Sequence, residues 1–227
     1  MKDLRLRKRH PDNPSLHLYT DMEFYGLPIQ ADQAPFIYEH LERLYDVTIT
    51  AIKRYPRVFA FRFDLHLPKG ISMPAEAYTN KVVSRFVAAI DGIVENARRT
   101  ARSINRYAAE TDLYWMWTRE EGDESQHYHF VMLVNKDAFH TLGRFTSKRD
   151  NLYRRLVRAW NGALRLQQGE YKGLVNVPTG ATYYLSRSED SELRAFFYRA
   201  SYICKARSKV LGHGFQVMNS CRFGRTL

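Results

Sequence analysis

Cysteine is nearly absent: Cys204 and Cys221 are the two among 227 residues. That is too few for a disulfide framework and leaves no Cys-based metal motif, so a reducing cytoplasm fits. Long apolar runs are missing as well. No stretch approaches the roughly 18 residues that would span a bilayer, and the opening MKDLRLRKRHPDNP has no signal-peptide core. A soluble protein that stays inside the cell is expected. The chain has no internal repeat, no low-complexity run and, past its N-terminal segment, no linker rich in Gly, Ser or Pro. One domain over residues 34–227 is predicted, preceded by an irregular arm over residues 1–33. Acidic residues are short relative to basic ones, 24 Asp+Glu against 35 Lys+Arg, giving a formal net charge of +11. Such a bias favours a polyanionic partner, with nucleic acid the leading candidate and a merely basic soluble protein the alternative. Hydrophobic residues at 44% and charged residues at 26% argue against disorder and against a fibrous protein.

Periodicity supplies the elements. Ile37, Leu41, Leu44, Ile49 and Ile52 recur at helical spacing between Pro35 and Arg54, and Tyr55-Pro56 closes the pattern. From Val58 to Leu67 the residues Phe59, Phe61, Phe63, Leu65 and Leu67 alternate with Ala60, Arg62, Asp64 and His66, the period of a half-buried strand. A long helix is predicted from about Pro74 to Tyr107 on a stripe of Val82, Val83, Phe86, Ile90, Ile93 and Val94. Two strands, Asp112–Glu120 and His127–Asn135, read as a hairpin. A helix over 148–166, short extended pieces near 173–177 and 181–185, and a helix from Ser188 to about Val210 complete the chain. The order predicts an α+β fold, a mainly antiparallel central sheet with helices packed on it.

His127-Tyr128-His129 places two imidazoles two residues apart on a strand, so both leave one face and can converge on one ion. The facing strand ends in Arg119-Glu120-Glu121, and Glu120 is the expected third ligand. Two imidazoles, one carboxylate and open positions suit Mg²⁺, Mn²⁺ or Zn²⁺. On a continuous final helix Tyr198, Tyr202 and Lys205 fall within a narrow sector, apart from the apolar stripe Leu193, Phe197, Ala200 and Cys204. A phenol with an ordinary pKa of about 10 needs a nearby ammonium or metal to act as a nucleophile. Taken singly, a histidine pair on a sheet face or a tyrosine pair on a helix is ordinary packing; together they point to one site. Basic helix faces at Arg98, Arg99 and Arg102 and at Arg154, Arg155 and Arg158 are candidate nucleic-acid contacts, as are Arg5, Arg7, Lys8 and Arg9 in the arm.

These residues carry a resemblance. His127-Tyr128-His129 followed by Phe130-Val131-Met132-Leu133-Val134 resembles the HUH motif of rolling-circle replication initiators. Tyr198 through Lys205 is similar to the two-tyrosine motif of the phage replication A-protein branch of that superfamily, and Phe61 through Pro68 to its first strand motif. Trp117-Thr118-Arg119-Glu120, His127-Tyr128-His129, Tyr183-Tyr184-Leu185 and Arg222-Phe223-Gly224 resemble elements of the prophage-encoded YagK/YfjJ-like domain, also called inovirus-type replication protein. The likeness runs over roughly residues 35 to 225. Gln126 stands where such initiators commonly have Pro.

The resemblance implies a metal-dependent enzyme that nicks and rejoins single-stranded DNA through a 5′-phosphotyrosine on Tyr202 or Tyr198. Lys205 would assist, and Mg²⁺ or Mn²⁺, with Zn²⁺ as the alternative, would sit on His127, His129 and Glu120. The implied partners are single-stranded or hairpin DNA at a replication origin, a helicase and a single-strand-binding protein, in the cytoplasm of a bacterial host. A DNA-binding regulator or replication accessory protein without cleavage is the rival reading, and a water-using metal phosphodiesterase, which needs the histidines alone, is a third.

Overall fold

The computed structural model describes residues 8–121, 126–166 and 173–222. Short N-terminal strands come first: β1 (Arg9–His10), β2 (Asn13–Tyr19), β3 (Glu23–Phe24), β4 (Leu27–Pro28) and β5 (Phe36–Ile37). Then follow α1 (Tyr38–Arg54), β6 (Arg57–His66), a 3-10 turn at Ala75–Tyr78, α2 (Asn80–Ile104), β7 (Tyr114–Glu121) and β8 (Gln126–Asn135). The chain continues through α3 (Leu152–Leu164), β9 (Val175–Asn176), β10 (Thr182–Ser186), α4 (Ser191–Ser201), a 3-10 turn at Tyr202–Cys204, and β11 (Met218–Ser220).

The main sheet has the order β10-β6-β8-β7-β11, with β9 also on β6, and every pairing is antiparallel. It is the α+β architecture expected. Because side chains alternate across a strand, the central strands β6, β7 and β8 feed two cores. Phe59, Phe61, Phe63 and Leu65 of β6 pack with Tyr128, Phe130, Met132 and Val134 of β8 against the apolar stripes of α2 and α3. Val58 and Ala60, with Val131, Leu133 and Met116, face the other way onto α1 and α4. β6 is therefore buried on both faces from Val58 to Leu65, not half-buried as its alternation suggested. Arg62 and Asp64, which looked like a solvent face, lie under the elements that follow α4 and are ion-paired to each other at 3.5 Å.

Two further expectations are corrected. The segment before residue 34 is not an irregular arm where it is described: β1, β2 and β5 form a three-stranded sheet, and Tyr19, Phe24, Leu27 and Ile29 are buried in the core shared with α1 and α4. Aromatic contacts drive this docking; the Phe24 ring stacks on Phe197 of α4 at 6.4 Å and meets Tyr38 of α1 at 5.3 Å. The last helix does not run to Val210. It ends at Ser201, tightens into the 3-10 turn, and at Lys205 adopts φ −56 and ψ 140. There the backbone pairs with Phe36 in an isolated bridge, and the Ala206 N–H donates to the Pro35 carbonyl at 2.8 Å. No helix among the described residues is long and apolar enough to cross a membrane.

Candidate metal centre and tyrosine

The site is built from strand register. Asp64, His129 and Thr118 stand opposite one another across β6, β8 and β7, and the next row toward the strand ends is His66, His127 and Glu120. All six share, with Arg62, the face that carries Val58, Ala60, Met116, Val131 and Leu133, so a polar corner closes one end of the α1/α4 core. His127 and His129 do leave the same face, and their Nε2 atoms are 3.3 Å apart. Glu120 Oε2 lies 3.2 Å from His129 Nε2 and 3.9 Å from His127 Nε2. One ligand atom from each of Glu120, His127 and His129 falls within 4.8 Å of the others, a group that could hold a metal ion.

Four residues outside the sequence-based site complete this corner. Asp64 Oδ1 is 2.5 Å from His129 Nδ1, a contact that orients the ring with Nε2 toward Glu120 and His127. Arg62 Nη2 supports Asp64 from 3.5 Å. His66 stacks on His127 with ring centroids 5.5 Å apart. Lys209, whose side chain is fully buried, donates to Glu120 Oε1 at 2.5 Å and to Thr118 Oγ1 at 3.0 Å. Arg62, Asp64 and His66 had a legible signal, since three polar residues occupy successive same-face positions of a strand bounded by apolar ones. Lys209 had none, because it lies beyond the helix break.

Burial alone would push the Glu120 carboxyl up; the hydrogen bond with His129 and the Lys209 charge outweigh it and hold the group well below the usual carboxylate range. Burial likewise works against ionised Asp64, and its hydrogen bond with His129 together with the His129 and Arg62 charges leaves it lowered. Desolvation brings the Lys209 ammonium down to about 8 against the opposing pull of Glu120. The corner thus holds ionised carboxylates in a desolvated setting, the state in which oxygen donors ligate cations.

Tyr202 joins this group and Tyr198 does not. The Tyr202 ring centroid is 5.8 Å from that of His129, with Lys205 Nζ 3.6 Å and Arg62 Cζ 4.7 Å from the same ring. Lys205 is buried and its Nζ sits 3.0 Å from Glu120 Oε2. Tyr198 lies one turn back on α4, 45% exposed, and among the described residues makes none of these contacts. The shared helical sector is therefore not the reason for the arrangement: α4 ends at Ser201, between the two tyrosines, and the 3-10 turn and the Phe36 bridge deliver Tyr202 and Lys205 instead.

The candidate arginines gather elsewhere. Arg98 and Arg155 flank the Phe139 ring at 5.5 and 5.4 Å, Arg102 pairs with Glu110, and Arg155 and Arg158 lie 2.6 and 3.6 Å from Asp150. Arg99 bonds Asn96 at 2.9 Å, and Arg154 bonds the Ser147 carbonyl at 3.2 Å. Arg98, Arg154, Arg155 and Arg158 border the segment that follows the Asn135 end of β8, and His127 is near its start, roughly 27 Å away at ~3.4 Å per residue. Arg9 is exposed and bonds the Pro14 carbonyl at 2.6 Å; Arg5 and Arg7 lie outside the described residues, as do Phe223 and Gly224.

Comparison with known proteins supports the YagK/YfjJ likeness. The uncharacterized protein YagK of Escherichia coli (strain K12) is 29% identical over 194 residues, covering 82% of this chain and 93% of its own length. The uncharacterized protein YfjJ of the same strain is 26% identical over 184 residues, covering 76% and 88%. Among solved structures, the N-terminal nuclease domain of non-structural protein 1 from minute virus of mice shares 15% identity and covers 82% of this chain and 75% of its own. Its TM-score of 0.25 is too low for that likeness to carry an argument. The family described as the YagK/YfjJ C-terminal domain matches residues 20–222, nearly the whole length, and the chain belongs to that family.

Proposed function

We propose that the chain is a metal-dependent enzyme that nicks and rejoins single-stranded or hairpin DNA, with Tyr202 as nucleophile, to start rolling-circle replication of a phage or prophage element. The observation that carries this reading is the Tyr202 ring lying beside His129 at the edge of the Glu120, His127 and His129 group. The donor set fits a divalent cation: two imidazoles converge with one ionised carboxylate, and Asp64 orients the His129 ring so that Nε2 faces the group. When bound, such an ion supplies Lewis acidity toward a non-bridging phosphate oxygen.

The residues of the chain account for the remaining chemistry. The Tyr202 phenolic oxygen attacks phosphorus and gives up its proton to solvent. The bond from phosphorus to the 3′ oxygen breaks, that oxygen takes a proton to become a free hydroxyl, and the 5′ phosphate stays on Tyr202. Lys205, in contact with the Tyr202 ring, stabilises negative charge as it develops. Joining is the reverse attack by a 3′ hydroxyl, and Tyr198 on the exposed face of α4 serves as a second attachment point. The arginines near Phe139 would hold the strand several nucleotides from the cut.

The test is incubation with Mn²⁺ or Mg²⁺ and labelled single-stranded or hairpin DNA from beside the chain's own gene, followed by a denaturing gel. A covalent protein–DNA band that needs metal and disappears in His127→Ala and Tyr202→Phe is the expected result. Tyr198→Phe should retain the first cut and its direct reversal, and lose transfer of the strand to a second attachment point. Tight binding with neither cut nor adduct would instead favour the non-catalytic DNA-binding protein.

A further inference from the structure

The charges in the polar corner do not balance toward metal binding. Two carboxylates, Glu120 and Asp64, are faced by three cations, Arg62, Lys205 and Lys209, and the side chains of all five are at most 10% exposed. Both Glu120 oxygens are already engaged, Oε2 by Lys205 at 3.0 Å and Oε1 by Lys209 at 2.5 Å. A divalent ion arriving on Glu120, His127 and His129 would raise an already positive group by two further charges, in surroundings where charges are weakly screened. Such a site favours a metal only when negative charge enters with it.

Accordingly, and resting on the metal-site reading above, we propose that the corner binds its divalent ion and a phosphodiester anion cooperatively, each tightening the other. The anion's place is the mouth of the corner, where partly exposed Tyr202 and His127 meet solvent. Arg62 and Lys205 both contact the Tyr202 ring there, so a phosphate reaching that ring meets two cations along with the ion. Linkage then requires that the metal raise affinity for the phosphodiester by the same factor that the phosphodiester raises affinity for the metal. The free protein is held largely metal-free, and the centre assembles on its substrate.

The experiment is Mn²⁺ titration of the full chain carrying Tyr202→Phe, followed calorimetrically and by the electron paramagnetic resonance signal of free Mn²⁺. It is run alone, with dimethyl phosphate, and with a short oligothymidylate, all at matched ionic strength. Mn²⁺ binding should tighten about tenfold or more when either phosphodiester is present, within the ~5–150-fold span of ordinary coupling. A gain with dimethyl phosphate assigns the effect to one phosphate group, and a gain with oligothymidylate alone assigns it to the polymeric strand. In Lys205→Met, Mn²⁺ should bind the free protein more tightly and the anion-dependent gain should shrink; a merely damaged fold would weaken binding in every arm. Mn²⁺ affinity equal within twofold in all three arms would overturn the coupling and leave the metal site standing. No Mn²⁺ binding in any arm would overturn both.

Discussion

His40 offers a prediction that can be worked through in numbers. It stands in the first turn of α1, 2% exposed, and its Nδ1 has no hydrogen-bond partner among the described residues. Burial, with the Lys209 and His10 charges adding to it, pushes the imidazole from 6.5 down to about 3. In the unfolded chain the ring regains its ordinary value, so between pH 6.5 and about 3 the unfolded state binds the extra proton. Stability from this residue is therefore complete above pH 6.5 and is lost progressively as the pH falls. At ~1.4 kcal/mol per unit, the loss at pH 5 is about 2 kcal/mol. Replacing His40 with Leu, of similar bulk and without a titrating group, removes the effect. Urea unfolding of both proteins from pH 7.5 to 5 should give a stability difference that shifts by about 2 kcal/mol in favour of the variant as acid is added. Other buried groups, such as lowered His66, titrate alike in both proteins and cancel in the difference. Parallel profiles would refute the reasoning, because they would mean that folded His40 accepts its proton without penalty.

Other perturbations have defined outcomes. Asp64→Asn should weaken Mn²⁺ binding about 10–100-fold by calorimetry while leaving the circular dichroism spectrum unchanged, since it frees His129 to rotate or change tautomer. Glu120→Gln leaves buried Lys205 and Lys209 without their counter-charge and should cost about 3–5 kcal/mol in urea unfolding, with part of that recovered in the Glu120→Gln/Lys209→Met double variant. Phe130→Ala removes a ring stacked on Phe63 at 5.0 Å and set edge-on to Phe86 at 5.2 Å, and should cost about 3–5 kcal/mol in the same assay without altering Mn²⁺ affinity. Arg98→Gln should lower the slope of log binding constant against log salt by about 1 for single-stranded DNA, with a similar loss across sequences.

The central strands and the paired histidines were legible because period-two patterning acts within a few residues and needs no distant partner. Glu120 could be chosen as third donor for the same reason: a hairpin brings its strand end against His127. The N-terminal sheet was not legible, since β1, β3, β4 and β5 are two residues each, too short to show a period, and Pro and Asn break what pattern β2 has. Nor was the end of α4. Residues 198–205 contain no Gly or Pro to stop a helix; the stop is imposed by the bridge to Phe36 and the pull of Glu120 on Lys205, both tertiary. Arg62 and Asp64 read as a wet face because their partners come from elements far along the chain.

The shared parity of Asp64, His66, Thr118, Glu120, His127 and His129 governs which genetic changes this scaffold can absorb. Losing or gaining one codon inside β6, β7 or β8 would throw part of a strand onto the opposite face, carrying an imidazole or carboxylate into the aromatic layer and a phenylalanine into the polar corner. Length variation in a lineage of such proteins should accumulate between these strands and leave their frame intact, even where individual side chains have drifted.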